Sequence, residues 1–144
     1  MNLIIAIILI GIFLCLSGIH IYWALGGKWG SGAVLPTKDD REKVIMPGFV
    51  PTMIVAIGLF GFGFVVFINV FKFDIPFPVL FTIIKKYGLW AIAGIFLLRA
   101  IGEFKYVGFF KTIKNTNFAK NDSRIYSPVC LLIGLLALIL EISK

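Results

Sequence analysis

Charge is what this chain has least of. Of its 144 residues only 15% are charged, 14 basic and 7 acidic, against 60% apolar. A soluble domain has about 25% charged and about 45–50% apolar residues, so there is too little charge here to cover a water-facing surface. The mean hydropathy of +1.02 agrees. Ligating and redox residues are scarce too: one histidine, His20, and two cysteines, Cys15 and Cys130. Without a Cys-x-x-Cys pair, quinone-linked thiol chemistry is excluded. One His and two distant Cys lack the spacing of a zinc site, and a single His cannot supply bis-His haem ligation. No metal and no cofactor are expected. Two cysteines and 15% aromatic residues also exclude disulfide scaffolds and disordered chains. The net charge of +7 does not point to nucleic acid, because a basic groove needs polar surface to sit on.

What is present is a series of long apolar runs. A membrane helix needs about 20 mostly apolar residues. Residues 3–25 and 48–71 carry no charge, 87–98 is a shorter charge-free run, and 125–140 is the last. The chain therefore reads as an all-α integral membrane protein, one antiparallel bundle over 1–144. Its four transmembrane helices are expected near 2–25, 47–71, 80–104 and 124–142. The alternating pattern of a membrane barrel is missing. The first run lacks a basic n-region and exceeds the usual apolar length of a signal peptide, so it reads as a retained helix. The third span has two starts. From Val79, Lys85 and Lys86 would snorkel from within it; from Tyr87, residues 75–84, with Pro76 and Pro78, would form an interfacial or re-entrant piece. The adjacent lysines favour Tyr87 as the boundary.

Orientation follows from Lys and Arg in short loops. Lys28, Lys38, Arg41, Lys43, Lys105, Lys111, Lys114, Lys120 and Arg124 fall on one side; Lys72, Lys85, Lys86 and Lys144 fall on the other. This bias predicts a multi-pass cell-membrane protein with both termini outside and the larger loops cytoplasmic. Its partner is the lipid bilayer. Gly58, Gly61 and Gly63 offer small surfaces for close helix approach and leave room for a homo-oligomer.

Polar residues gather at one end of the expected bundle: His20, Tyr22, Trp23, Arg99, Glu103, Tyr106, Asp122, Tyr126 and Ser127. An ionisable group inside a span usually faces the bundle interior and has a partner. Arg99 has Glu103 one turn later on the same face, if the helix continues, and Tyr106 extends that stripe. The functional reading is an anion or ligand anchor; the plain one is an arginine reaching head groups. A carboxylate partner, Glu103 or Asp122 or both, is expected in either case. His20 could carry a proton near neutral pH or simply donate to a backbone carbonyl. Asp122 and Ser127 could cap the fourth helix. Residues 103–118 interleave Lys with Phe, Val and Ile at helical spacing, as in an interfacial helix on an anionic leaflet or an extension of the third span. Lys111 reads there as a solvated lysine whose loss would matter less than that of Arg99. Cys15 and Cys130 differ in expected depth by about 9 Å, against a disulfide.

The stretches His20-Ile21-Tyr22-Trp23-Ala24-Leu25-Gly26-Gly27, then Arg99-Ala100-Ile101-Gly102 through Gly108-Phe109-Phe110-Lys111, then Phe118-Ala119, Asp122 and Tyr126-Ser127-Pro128-Val129-Cys130 resemble a family of small bacterial four-span membrane proteins classed as a conserved domain of unknown function. The resemblance covers nearly the whole chain. It implies four helices with the motif residues at one membrane face, and no reaction. The family often has Asp at the position of Glu103, which keeps the carboxylate. A fainter likeness, of fold only, is to the bundle of sterol isomerases and the sigma-2 receptor.

Three functions compete. The first is binding of a small amphipathic or lipid-like ligand in a pocket at the polar end, lined by His20, Trp23, Arg99, Glu103, Tyr106, Asp122 and Tyr126. The second is a membrane enzyme using His20 and Glu103 as the acid–base pair on a lipid-like substrate, with Arg99 stabilising an oxyanion. The third is a structural or accessory subunit. A small four-span exporter is disfavoured because spans one and two hold no carboxylate, and a channel because no span has a polar stripe along its length.

Overall fold

The computed structural model describes residues 1–36, 47–71 and 79–144. Five α-helices follow in order: α1 Asn2–Ala24, α2 Phe49–Val70, α3 Val79–Ile101, the short α4 Asn117–Asn121 and α5 Ser127–Ile142. A 3₁₀ turn, Ser31–Ala33, follows α1, and a π-type turn, Asp122–Tyr126, joins α4 to α5 without a break. No strand occurs among the described residues. The helical runs Asn2–Ala24, Phe49–Val70, Val79–Ile101 and Asn117–Ile142 are each long and apolar enough to cross a membrane.

Contacts between helices run in opposite directions along the chain. Ser17 Oγ donates to Ala56 O at 2.8 Å, while earlier in α1 Phe13 meets Phe62, later in α2. Arg99 meets Asp122, while earlier in α3 Leu97 lies against Gly134. The bundle is therefore antiparallel, with α1 paired on α2 and α3 on α5, and the pairs joined by α2–α3 and α1–α5 contacts. Its centre is a mutual cluster of Phe13, Phe62 and Phe96, with ring centroids 5.5–5.9 Å apart in tilted and edge-on geometry. Leu9, Val66, Leu89, Ile92, Ile133 and Leu140 are buried around it. The glycines that let helices approach are largely not those expected. A Cβ on Gly88 would lie 2.5 Å from Val65 and one on Gly134 2.7 Å from Leu97, whereas only Gly63 of the expected three touches a neighbour, Phe13 at 3.4 Å.

Outward faces are as apolar as the core. Ile4, Ile54, Ile57, Phe60, Trp90, Leu98 and Leu132 are all exposed. Such a belt around every long helix has no place in water and matches hydrocarbon, whose absence of hydrogen-bonding partners also explains why the backbone is helical. The molecule is a multi-pass membrane protein.

Two sequence expectations need correction. The helix α3 runs unbroken from Val79, so no separate piece ends at Ile84. Lysine propagates a helix well, and Lys85 and Lys86 fold over the rings of Phe81 and Tyr87, each at 5.1 Å. Residues 75–78 of that piece, with Lys72 and the loop basics Lys38, Arg41 and Lys43, lie outside the described residues. The third helix also stops at Ile101 rather than 104, because Gly102 turns the chain with φ +87°.

Candidate functional site

The polar end of the α3–α5 pair is organised around one carboxylate. Asp122 is fully buried. Its Oδ1 accepts from Arg99 Nη2 at 2.9 Å. Its Oδ2 accepts from Lys111 Nζ at 2.9 Å, Gly108 N–H at 2.9 Å and Ser127 Oγ at 3.1 Å. A carboxyl that accepts four hydrogen bonds has no proton to give, so this is the ionised, acceptor-only form. Lys111, only 2% exposed, spends its other bonds on Gly108 O at 3.0 Å and Ser123 Oγ at 2.7 Å. Burying an ammonium is expensive unless it is paired and fully hydrogen-bonded, and here it is both.

Local backbone chemistry builds this cluster. A Cβ on Gly102 would sit 1.8 Å from Val107 O, and one on Gly108 (φ +92°) 2.2 Å from Ile101 O. Only glycines allow the two ends of this loop to touch. The returning chain then closes on the helix end, with Phe109 N–H donating to Ala100 O at 2.9 Å and satisfying one of the orphan carbonyls there. Gly108 N–H is thereby aimed at Asp122. On the other side, Thr116 caps α4 by accepting from Ala119 N–H at 3.1 Å. The π-type turn at Asp122–Tyr126 precedes Pro128, which has no N–H for the ordinary helical bond, and it leaves Asp122 pointing inward. Of the two readings of Asp122, cap or partner of Arg99, the structure has the partner, and Ser127, which could have capped, donates to it.

The expected interfacial helix over 103–118 does not form. Residues 102–116 are irregular, held by Thr112 N–H to Phe104 O at 3.1 Å and Ile113 N–H to Lys105 O at 3.0 Å. The helical spacing of its apolar residues is overridden by the two glycines and by the burial of Lys111, which is no solvated lysine. Glu103 consequently leaves the face of Arg99; its carboxylate accepts from Tyr106 N–H at 3.2 Å. Arg99 finds its carboxylate in Asp122. Tyr106 lies under the Lys105 ammonium, 5.2 Å from the ring centre.

His20 and Trp23 belong to the other helix pair. His20 Nδ1 donates to Leu16 O at 2.8 Å, which leaves Nε2 as an acceptor in the neutral ring. The two rings meet edge-on at 5.2 Å, and Trp23 Nε1 donates to Trp29 O at 2.8 Å. Together with Val34, Leu35, Pro47, Pro51, Thr52 and Val55 they line a cavity of about 170 Å³. Thr52 turns its hydroxyl to Gly48 O at 2.9 Å, so the walls are apolar apart from the imidazole. Arg99, Glu103, Tyr106, Asp122 and Tyr126 do not line it. Tyr126 joins the two regions: its hydroxyl donates to Ala33 O at 3.1 Å, next to the cavity residue Val34, and its ring lies 6.0 Å from Phe118. Of the residues expected to form one site, Arg99 and Asp122 join the ion cluster, His20 and Trp23 line the cavity, and Glu103, Tyr106 and Tyr126 belong to neither. Cys15 and Cys130 are both free thiols.

Sequence reasoning missed Lys111, Gly108 and Ser123 as members of the cluster. Charge periodicity hides a lysine that a loop turns inward. The signal that did contain two of them was the motif running from Arg99 to Lys111, with glycines at 102 and 108.

Four apolar helices around an aromatic core, closed at one end by a buried ion cluster, define a small polytopic membrane protein. The family described as "Protein of unknown function (DUF3995)" matches residues 13–137, and the chain belongs to it. No curated protein and no solved structure matches the chain.

Proposed function

We propose that this protein binds a small amphipathic ligand in the cavity between the C-terminal end of α1 and the N-terminal end of α2, with His20 as its polar contact. The observation that carries this reading is a cavity of about 170 Å³ with a largely apolar lining, to which His20 contributes its imidazole among the described residues. Apolar walls with a single placed acceptor suit a ligand with an apolar body and one hydroxyl or amide donor. The volume is on the scale of an aromatic ring with a short substituent. The ion cluster of the neighbouring pair acts as the frame: its buried charges hold α3, the 102–116 loop and the start of α5 in one arrangement, and Tyr126 ties that arrangement to the cavity wall. No observation favours the acid–base reading, because Glu103 does not share the cavity with His20. We read residues 1–144 as one transmembrane domain of the cell membrane, with the cavity end cytoplasmic, on the bias of Lys and Arg toward that end.

The test uses a photoreactive probe, an aryl diazirine bearing a hydroxymethyl group, with the protein in detergent. Expected is saturable labelling of Trp23, Val34 and Val55 that benzyl alcohol displaces and that Val55→Trp abolishes. His20→Ala should weaken it about fivefold, the scale of one neutral hydrogen bond. Labelling that never saturates and spreads over the lipid-facing residues would overturn the reading.

A further inference from the structure

Among the described residues the ion cluster does not balance. Arg99 and Lys111 bring two positive charges to the single carboxylate of Asp122, and no other carboxylate among the described residues reaches it. Glu103 is engaged with Tyr106 N–H. Lys111 and Asp122 are sealed and fully hydrogen-bonded, so the surplus falls on Arg99. One of its nitrogens, Nη1, is covered yet has no acceptor among the described residues, while 33% of the side chain stays open. A covered guanidinium nitrogen without an acceptor carries a desolvation cost.

Arg99 lies two residues before the last residue of α3, Ile101, hence about 3 Å from the helix end at 1.5 Å per residue. A group so near the end of a spanning helix is close to where the helix leaves the hydrocarbon. We propose that Arg99 binds a phosphate oxyanion there, carried by a phospholipid head group or free in the adjoining water, and that this anion completes the cluster. The guanidinium is a planar donor fork matched to such an oxyanion, and its charge is delocalised. An anion at the part of the side chain that stays open therefore offsets the surplus charge of the cluster. This site is separate from the His20 cavity and shares none of its lining residues.

The sequence contains three arginines, Arg41, Arg99 and Arg124, so Arg41→Lys with Arg124→Lys leaves Arg99 as the sole guanidinium. With ¹⁵N-arginine label, solid-state NMR dephasing by ³¹P reads contact with phosphate in the folded protein. In phosphatidylglycerol vesicles the guanidinium signal should dephase. In phosphate-free digalactosyl lipid vesicles it should not. If inorganic phosphate restores dephasing there, free phosphate is also a ligand; if it does not, the head group is the source. No dephasing in phosphatidylglycerol and none with inorganic phosphate overturns the proposal. Native mass spectrometry gives a second readout. Arg99→Gln should retain phosphatidylglycerol about tenfold less well than the unmodified chain, while Lys28→Gln, at an exposed lysine, retains it fully. Equal retention by Arg99→Gln also overturns it.

Discussion

At the same end of the bundle, the two helix pairs solve burial in opposite ways. Between α3 and α5 the space is filled by charge, with one carboxylate, two cations, a backbone N–H and a hydroxyl all mutually engaged. Between α1 and α2 the described residues line it with mostly apolar groups, His20 among them, and leave a cavity. A network this densely paired fixes one geometry and punishes the loss of any member. An apolar hollow tolerates change and offers room. Rigidity and capacity for a ligand are thus placed side by side, and Tyr126 connects them.

Removing the carboxylate should have the largest effect. Asp122→Ala strands two cations and two further donors, and breaking a buried pair alone costs about 3–5 kcal/mol. Folded yield and thermal midpoint in detergent should both collapse, and an unchanged midpoint would contradict the cluster. Next comes Lys111. Lys111→Ala should destabilise by about 3 kcal/mol, more than Arg99→Ala, because Lys111 is sealed whereas Arg99 keeps a third of its side chain open. Denaturant unfolding of the two variants side by side ranks them, and the reverse order would return Lys111 to the solvated lysine its sequence context suggests. In a double-mutant cycle, Lys111→Ala and Asp122→Ala should be strongly non-additive.

Gly108→Ala should follow at about 1–3 kcal/mol, from a strained positive φ and a Cβ aimed at Ile101 O. Its signature is local: amides of residues 102–111 should exchange hydrogen faster. At the small end, His20→Leu should shift the thermal midpoint by no more than about 1 kcal/mol equivalent, with loss of probe labelling as its main result. A large loss of stability there would make His20 part of the frame and erase the contrast between the two pairs.

Much of the fold was legible because it follows from the solvent. Runs of about 20 apolar residues have no alternative in lipid but to pair their backbone internally as helices. The demand of Arg99 for a carboxylate was legible from the expense of an unpaired charge. Which carboxylate was not. Glu103 is closer in sequence and lies at helical spacing, but that argument assumed the helix went on past Ile101. Gly102 ends it, and Asp122 arrives from another helix.

The class of molecule, the number of long helices and the end at which polar groups collect follow from composition and spacing along single segments. That Lys111 is buried, that Glu103 is turned away and that His20 lines a cavity apart from Arg99 emerges when the elements meet. Each of those depends on how a loop with two left-handed glycines returns to a helix end. Side-chain direction in such a loop is set by which backbone atoms can touch, and that is a property of elements in contact, not of residues in order.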